Sequence, residues 1–410
     1  MNLYTSELCV KCKGKGWCGE KCRILEKIKH SFPKTKTHFS GSSPPEIFVG
    51  RYSYPHINAG ILSPNEYRDT EEMSLPEIWY EKNMTIPEIL SQRSQLIYSR
   101  FKSRVLDARK PNKGKFLSTM QEISIASKPV STEIFLSKPV RLSFELDKNH
   151  AIIGNPAPLK SITLQENPHV EKKVEYLTSD TDNKAAGGIA ELYKSKIKTS
   201  HIIKILSAGM LGLKKNRKLV PTRWAVTATD DTLSKFLLEK IRYYQELGEI
   251  RLFHNYYIGN HYEILLLPDK FSFEVIEAFI IGSSWNPSSS SDLFTQDYES
   301  FFGRRKYASN VTGAYYTVRL AVAEYLEKIK KQATVLVLRE ERPEYNAPLG
   351  VGILRELARD AFRKKYETFN SVKEAFEKIK QRLKLNPETF REKSWLLKEY
   401  GKQTRLGKWF

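Results

Sequence analysis

The stretch GAYYTVRLAVAEYLEKIKKQATVLVL, residues 313–338, decides the fold class of this 410-residue chain. Its first part repeats apolar residues at helical spacing behind Asn310 and Thr312, and either of these could cap a helix. Residues 333–338 are a continuous apolar run with the length of a buried strand. Pro348 then starts a second helix. Helix, strand and helix in this order predict an α+β fold of mixed layers.

The sequence before this stretch adds strands. Residues 250–254 and 262–267 predict a strand pair joined by a turn at Gly259 and Asn260, and residues 273–281 predict a further strand. These strands predict a sheet beside the two helices.

Three further segments complete the predicted body. Residues 46–50 read as a buried strand, and residues 85–106 as an amphipathic helix with a basic face. Residues 223–229 read as a strand, after which Asp230 or Asp231 caps a helix.

Composition shifts suggest four parts. Residues 1–36 form a small basic head that holds every cysteine, and residues 37–360 form the mixed body. The polar loop 179–188 is where we expect a division of the body into two subdomains. Residues 361–400 are a basic helical segment, and 401–410 a short flexible tail.

The balance of charge is strongly basic. The chain has 67 Lys and Arg against 47 Asp and Glu, a formal net charge of +20. Such a field attracts phosphate-rich polymers, so DNA or RNA is the leading partner class, with a merely solvated basic surface as the alternative. No secretory leader and no apolar run long enough to cross a membrane is found. We therefore expect a cytoplasmic, nucleoid-associated protein without a membrane partner.

All four cysteines lie in the first 22 residues, with the spacing C-x2-C-x5-C-x3-C. Two short knuckles of this kind bring four thiolates onto one structural Zn²⁺, and the surrounding lysines offset the negative charge of the site. An iron–sulfur cluster and a pair of disulfides are the alternatives. The predicted ligands are Cys9, Cys12, Cys18 and Cys22.

The last eight residues, QTRLGKWF, match the pattern Q-x-x-h-x-x-a-a, where h is aliphatic and a is aromatic. In one 3₁₀ turn Leu406, Trp409 and Phe410 form an apolar plug while Gln403 reaches a separate polar pocket. The pattern resembles the PIP box, the motif of proteins that bind the sliding clamp PCNA. The alternative is a tail that folds back on its own body.

Together these features resemble the archaeal NreA DNA repair proteins. The resemblance covers most of the chain and rests on the cysteine head, on residues 39–51 (FSGSSPPEIFVGR), on residues 221–230 and on the terminal motif. It implies a role in repairing DNA damage together with the clamp. The resemblance assigns roles only to the four cysteines and to the four tail residues Gln403, Leu406, Trp409 and Phe410. It identifies no catalytic residues.

A candidate anion site precedes the helix of residues 313–330. Three successive cations lie before free helix amides, which attract phosphate, and a further arginine lies near the first turn. An ordinary helix cap beside a solvated loop is the alternative. The predicted phosphate or nucleic-acid ligands are Arg304, Arg305, Lys306 and Arg319.

Polar residues beside apolar strand ends are candidates for a pocket in the body. Residues 40–45 could nest an anion through backbone amides, although turn chemistry explains them equally well. The candidate pocket residues are Arg51, His56, Arg223, Asp230, Trp285 and Asn286.

Two functions follow from the sequence, and a third is weaker. The first is a DNA repair factor recruited by its tail and binding DNA through its basic surface; the second is an enzyme that processes damaged DNA or a nucleotide adduct in the body. No Walker, zincin, hydrolase or kinase motif is present, which makes an ATP-driven motor improbable. An RNA-binding protein is the third, and the clamp motif argues against it.

Overall fold

The computed structural model describes residues 37–145, 147–286 and 290–402. It confirms the α+β class. The chain divides into two compact units. Of the described residues, the N-terminal unit contains 37–233 together with Ala347–Ile353, and the C-terminal unit contains Ser234–Asn346 and 354–402. The division falls inside a long helix and not at the polar loop 179–188.

The N-terminal unit is built on a mixed six-stranded sheet. Its strands are β1 (His38–Ser43), β2 (Ile47–Val49), β3 (His56–Ser63), β4 (Ile97–Arg104), β5 (Val130–Leu136) and β8 (Pro156–Leu164), in the order β1-β5-β8-β4-β3-β2. Only β4 and β8 run parallel, and all other neighbours are antiparallel. A separate two-stranded sheet pairs β6 (Phe144–Glu145) with β7 (Ile153–Gly154).

Six α-helices of the described residues lie wholly in this unit. They are α1 (Pro76–Glu81), α2 (Ile86–Ser94), α3 (Lys115–Ile125), α4 (Lys172–Ser179), α5 (Ala185–Lys194) and α6 (Thr199–Ser207). The core lies between the sheet and α3, where Met120 and Ile123 pack against inward side chains such as Ile61 and Ile134. Burial of these alternating apolar residues holds the strands in register.

The C-terminal unit repeats this plan with a second mixed sheet. Its strands are β9 (Ile250–Tyr257), β10 (Asn260–Leu267), β11 (Ser272–Phe279), β12 (Leu293–Glu299), β13 (Thr334–Glu341) and β14 (Glu367–Phe369), in the order β12-β11-β13-β10-β9-β14. The predicted strand pair 250–267 and the buried strand after residue 333 are confirmed. Strands β11 and β13 form the one parallel pair.

Among the described α-helices, six belong wholly or partly to this unit. They are α7 (Thr222–Ile241), which contains the division between the units, α8 (Gly313–Ile329), α9 (Gly352–Ala361), α10 (Val372–Lys380), α11 (Pro387–Lys393) and α12 (Trp395–Glu399). Apolar residues of α10 to α12, among them Phe376 and Phe390, pack with Leu265 and Leu336 of the sheet. The basic segment 361–400 is therefore part of the core of the C-terminal unit and not an appendage. Among the described residues, no helix has the length and apolar character to cross a bilayer.

One predicted element was wrong in its second part, and another was wrong throughout. Residues 85–106 form the predicted helix only over α2 and then continue as β4. The prediction ran on because Ile97, Phe101 and Val105 lie four apart, a spacing that suits one face of a strand as well as a helix.

The predicted strand 223–229 is the first part of α7, whose Ala225, Thr229 and Leu233 are fully buried at helical spacing. Asp230 lies buried inside this helix and does not cap it.

Candidate functional site

Two segments that lie far apart in the sequence meet at the end of β2. The Val49 backbone N–H donates a hydrogen bond to Thr222 Oγ1 at 3.0 Å. The rings of Tyr54 and Trp224 lie beside each other, with centroids 5.4 Å apart. The structure therefore joins the segment that carries Arg51 to the start of α7.

Cations and exposed aromatic rings share this region. Tyr52, Tyr54 and Trp224 are 51%, 44% and 44% exposed, which is high for large apolar rings. The Arg51 guanidinium lies 5.2 Å from the centroid of the Tyr52 ring. We call this group the signature surface, and it consists of Arg51, Tyr52, Tyr54, His56, Arg104 and Trp224.

His56 is the first residue of β3 and is exposed. Arg104 lies opposite it on β4, and Arg104 Nε donates a hydrogen bond to His56 Nε2 at 3.0 Å. The predicted His56 is thus held at the surface by an arginine.

The signature surface continues into a row of cations on β4. Arg100, Lys102 and Arg104 are exposed, and they alternate with more buried residues. Because side chains two apart on a strand point to the same face, the three cations form one line with a spacing of about 6.6 Å. We call this line the basic stripe.

A buried polar group lies behind the first turn of α7. Arg223 donates a hydrogen bond to Asp147, whose side chain is 2% exposed, and the same carboxylate lies 4.0 Å from His150 Nε2. Burial raises the pKa of Asp147, but the charges of His150 and Arg223 and a hydrogen bond from the Asn149 amide outweigh it and hold that pKa below its usual range. Asp147 is therefore an ionised carboxylate between a guanidinium and an imidazole.

Packing fixes the orientation of His150. Its ring meets Phe48 edge-on, at 5.0 Å between centroids, and its Nδ1 lies 2.8 Å from the Ala151 carbonyl oxygen. Gly350, with φ +80°, lies directly on the His150 backbone, where an added Cβ would come within 2.5 Å. Only glycine allows this close approach.

The remaining predicted pocket residues lie elsewhere. Asp230 is fully buried in α7 and already has an interaction partner. Trp285 and Asn286 belong to the C-terminal unit. The Asn286 side-chain amide donates to the carbonyl oxygens of Phe279 and Ser291, at 2.8 and 3.0 Å, so it closes a turn.

The predicted anion nest at residues 40–45 is not a loop of free amides. Residues up to Ser43 form β1, which pairs with β5. The Ser42 amide donates to the Glu66 carbonyl oxygen at 2.8 Å.

Two of the predicted phosphate ligands form ion pairs within the protein, and the other two are exposed. Arg304 Nη2 contacts Asp297 Oδ1 at 2.9 Å, and the buried Arg319 contacts Glu299 at 2.7 Å. Arg305 and Lys306 are exposed.

The entry of α8 already has an internal anion. The second oxygen of Asp297 accepts the Asn310 and Val311 amides at 2.9 and 2.8 Å, and the Thr312 side chain caps no amide. This carboxylate occupies the place where phosphate was expected, and it replaces the predicted Asn310 or Thr312 cap.

Sequence reasoning missed two buried groups. Nothing in the local pattern links Asp147 or His150 to Arg223, which lies 76 residues after Asp147. In the C-terminal unit Arg339 lies between Glu277 and Glu341, and its Nη2 is 3.0 Å from Glu341.

The arginine–carboxylate group of the C-terminal unit had a signal in the sequence. Charged residues follow at once on the apolar run 333–338, and charges at the end of a buried strand are unusual.

The predicted zinc ligands and the predicted tail residues lie outside the described residues. Within 37–145, 147–286 and 290–402, no group of three or more His, Cys, Asp and Glu side chains is arranged to hold a metal ion.

Comparison with known proteins covers nearly the whole chain. The model of the family described as "Archaeal Nre, N-terminal" matches residues 17–286, and that of "Archaeal Nre, C-terminal" matches residues 299–409. No solved structure matches the chain.

Three curated relatives are similar over most of their length. DNA repair protein NreB of Archaeoglobus fulgidus is 36% identical over 97% of this chain and 98% of its own, and DNA repair protein NreA of the same organism is 37% identical over 92% and 93%. DNA repair protein NreA of Haloferax volcanii is 34% identical over 90% of this chain and 89% of its own. The two family models and the similarity to these relatives show that the chain belongs to the archaeal Nre family.

Proposed function

We propose that this chain is a DNA repair protein that is recruited to the sliding clamp PCNA by residues 403–410 and binds DNA through the signature surface and the basic stripe. The observation that carries the repair role is the similarity along the whole chain to relatives named DNA repair proteins. The two finer parts of the proposal rest on the residues themselves.

The signature surface has the chemistry of a DNA-binding site. Exposed rings such as Trp224 and Tyr54 offer faces on which unpaired bases stack, worth about 1–3 kcal/mol per base. Arg51 and the basic stripe supply charge for the phosphates. Rings and cations on one face favour DNA with unstacked bases over an intact duplex.

Recruitment rests on the last eight residues. Two aromatic side chains and Leu406, in the Q-x-x-h-x-x-a-a pattern, form an anchor of the kind that dominates binding energy in protein interfaces. Arg405 and Lys408 suit an acidic partner surface.

Truncation after Lys402 tests the recruitment. The shortened chain should no longer co-elute with PCNA, and Trp409→Ala should weaken binding by at least about thirtyfold, since a buried anchor contributes about 2 kcal/mol or more. Lys402→Ala, just outside the pattern, is the matched control and should bind normally. Equal binding by intact and truncated chains would disprove recruitment through the tail.

We propose one structural zinc ion on Cys9, Cys12, Cys18 and Cys22. The spacing supplies four thiolates and leaves no open coordination position, so the metal would support the fold and not the chemistry. Elemental analysis should find one zinc per chain and none in a variant with all four cysteines changed to serine. Iron with inorganic sulfide would favour a cluster instead.

A second candidate function is an enzyme that acts on damaged DNA. The observation that favours it is the pairing of Arg223 with the buried Asp147, which lies beside the buried His150. An ionised carboxylate beside an imidazole is a common arrangement for moving a proton. Conversion of damaged oligonucleotides that is lost in Asp147→Asn, while DNA affinity is kept, would favour the enzyme. Binding without conversion would favour the clamp-recruited binding protein.

A further inference from the structure

A cavity of about 220 Å³ lies in the C-terminal unit between α7, α8 and the loop that follows β12. Four cations line it, against the two carboxylates Glu239 and Glu299. We call it the arginine cavity, and its cations are Lys235, Arg242, Arg304 and Arg319.

Positive charge in the cavity exceeds negative charge. Arg319 pairs with Glu299 at 2.7 Å, and Arg304 pairs with Asp297, which lies outside the lining, at 2.9 Å. Even with Asp297 counted, four cations face three carboxylates. The exposed Arg305 and Lys306 follow directly in the sequence and add to the field.

Arg242 is the cation whose hydrogen bonding is incomplete. Its Nε–H is buried and has no acceptor among the described residues. Its guanidinium carbon lies 5.7 Å from the centroid of the Phe301 ring. Gly303 packs beside Nη2, and a Cβ added to this glycine would lie only 3.1 Å from that nitrogen. A buried donor without an acceptor is costly and calls for an explanation. An anionic oxygen in the cavity would satisfy it.

An aromatic ring stands at the rim. Phe302 lines the cavity yet is 89% exposed. A phenylalanine in water beside a cationic cavity has no role in the core, but it offers a face to a planar group.

We propose that the arginine cavity binds the phosphate of a nucleotide whose base stacks on Phe302. The cavity is smaller than the roughly 300–1,000 Å³ of pockets that enclose whole small molecules. It therefore takes the phosphate group, and the base remains outside on the ring. The same chemistry fits a free mononucleotide and the phosphorylated end of a single strand; the choice of a strand end rests on the proposed repair function.

Calorimetric titration of the full chain tests the proposal with four probes: inorganic phosphate, dAMP, and a short oligothymidylate with a 5′-phosphate or a 5′-hydroxyl. Arg242→Gln should weaken the binding of phosphate, dAMP and the phosphorylated strand about tenfold or more, because a charged hydrogen bond is lost. Phe302→Ala should weaken the binding of dAMP and of the phosphorylated strand about fivefold or more. The affinity for inorganic phosphate should not change, because phosphate has no base to stack.

Two variants of the same unit are the controls. Glu239→Gln removes a carboxylate from the lining and should tighten the binding of every phosphate-bearing probe. Lys328→Gln removes one charge from the exposed end of α8, away from the lining, and should change nothing. Thermal unfolding of each variant verifies that it folds.

The two strands and dAMP identify the source of the ligand. A phosphorylated strand that binds tighter than both dAMP and the 5′-hydroxyl strand assigns the cavity to strand ends. Equal affinities for the phosphorylated strand and dAMP assign it to free nucleotides, and both results support the proposal. The proposal would be overturned if Arg242→Gln bound the phosphate-bearing probes with native affinity. It would also be overturned if Phe302→Ala lost affinity for inorganic phosphate and for dAMP equally. No clamp or duplex is present, so failure of PCNA recruitment would leave this result unaffected.

Discussion

His201 shows how a single buried residue ties the stability of the fold to pH. It lies in α6, its side chain is buried, and its Nε2 is 3.1 Å from the Ser124 carbonyl oxygen. Burial and the nearby positive charge of Lys204 lower its pKa to about 4. The folded protein therefore holds a neutral imidazole whose Nε2–H donates to Ser124.

We predict that this histidine makes the protein less stable in mild acid. Between pH 6.5 and 4 His201 is protonated in the unfolded chain but stays neutral in the folded chain. The free energy of unfolding therefore falls as the pH falls. The loss is about 2 kcal/mol between pH 7 and pH 5. Urea unfolding at both pH values should show it, and His201→Gln should remove that part of the pH dependence.

His169, which is exposed, provides the control. His169→Gln should keep the native pH dependence. If His201→Gln loses as much stability between pH 7 and pH 5 as the native chain does, the neutral buried state of His201 is wrong.

At the scale of elements, a buried carboxylate holds the last helix of the C-terminal unit. Glu274 of β11 accepts hydrogen bonds from Ser394 Oγ at 2.6 Å and from the Trp395 and Leu396 amides at 3.0 Å. Burial raises its pKa, although these hydrogen bonds oppose the rise. The start of α12 thus takes its acceptor from a strand 120 residues earlier.

We predict that Glu274→Ala weakens the attachment of α12 to β11. Three donors lose their acceptor, and each buried unsatisfied donor costs about 1–3 kcal/mol, of which part is recovered if water enters. The free energy of unfolding should fall by about 3 kcal/mol, and amide hydrogen exchange should quicken first at residues 395–400.

The exposed Glu377 of α10 is the matched control, and Glu377→Ala should exchange like the native chain. Glu274→Gln keeps one acceptor oxygen, so its amide exchange at residues 395–400 should be slower than in Glu274→Ala and faster than in Glu377→Ala. Native protection in Glu274→Ala would show that packing alone holds α12.

At the scale of the whole molecule, the excess of 20 positive charges governs encounters with DNA. Part of this excess lies on the basic stripe, where Arg100, Lys102 and Arg104 are exposed. Binding to a polyanion releases counterions, so affinity depends steeply on salt.

We predict that the logarithm of DNA affinity falls linearly with the logarithm of salt concentration, with a slope of about −0.7 per phosphate contacted on single strands. Changing Arg100, Lys102 and Arg104 together to glutamine should reduce the slope by about two to three. Fluorescence anisotropy over a salt series measures it.

Three exposed lysines of the same unit, Lys184, Lys214 and Lys218, form the charge-matched control. Their change to glutamine should lower affinity slightly and keep most of the slope. An equal effect of both triple variants would mean that net charge, and not the basic stripe, binds DNA.

The sequence alone determined the elements whose pattern is local. Strands β9 and β10, helix α8 and strand β13 follow from periodicity and turn chemistry within a few residues, and burial of the same apolar faces then holds them in place. Membership of the archaeal Nre family is likewise carried by linear motifs and by similarity along the chain.

Tertiary structure alone decided the rest. The four-residue spacing of Ile97 and Phe101 fits a helix and a strand equally, and pairing with β3 and β8 selected the strand. No local pattern could place Asp147 beside Arg223 or Asp297 at the entry of α8, because such contacts join residues brought together only when the sheets bury their apolar faces. The sequence gives the chemistry of each side chain, but only folding determines the distances between side chains that are remote in the sequence.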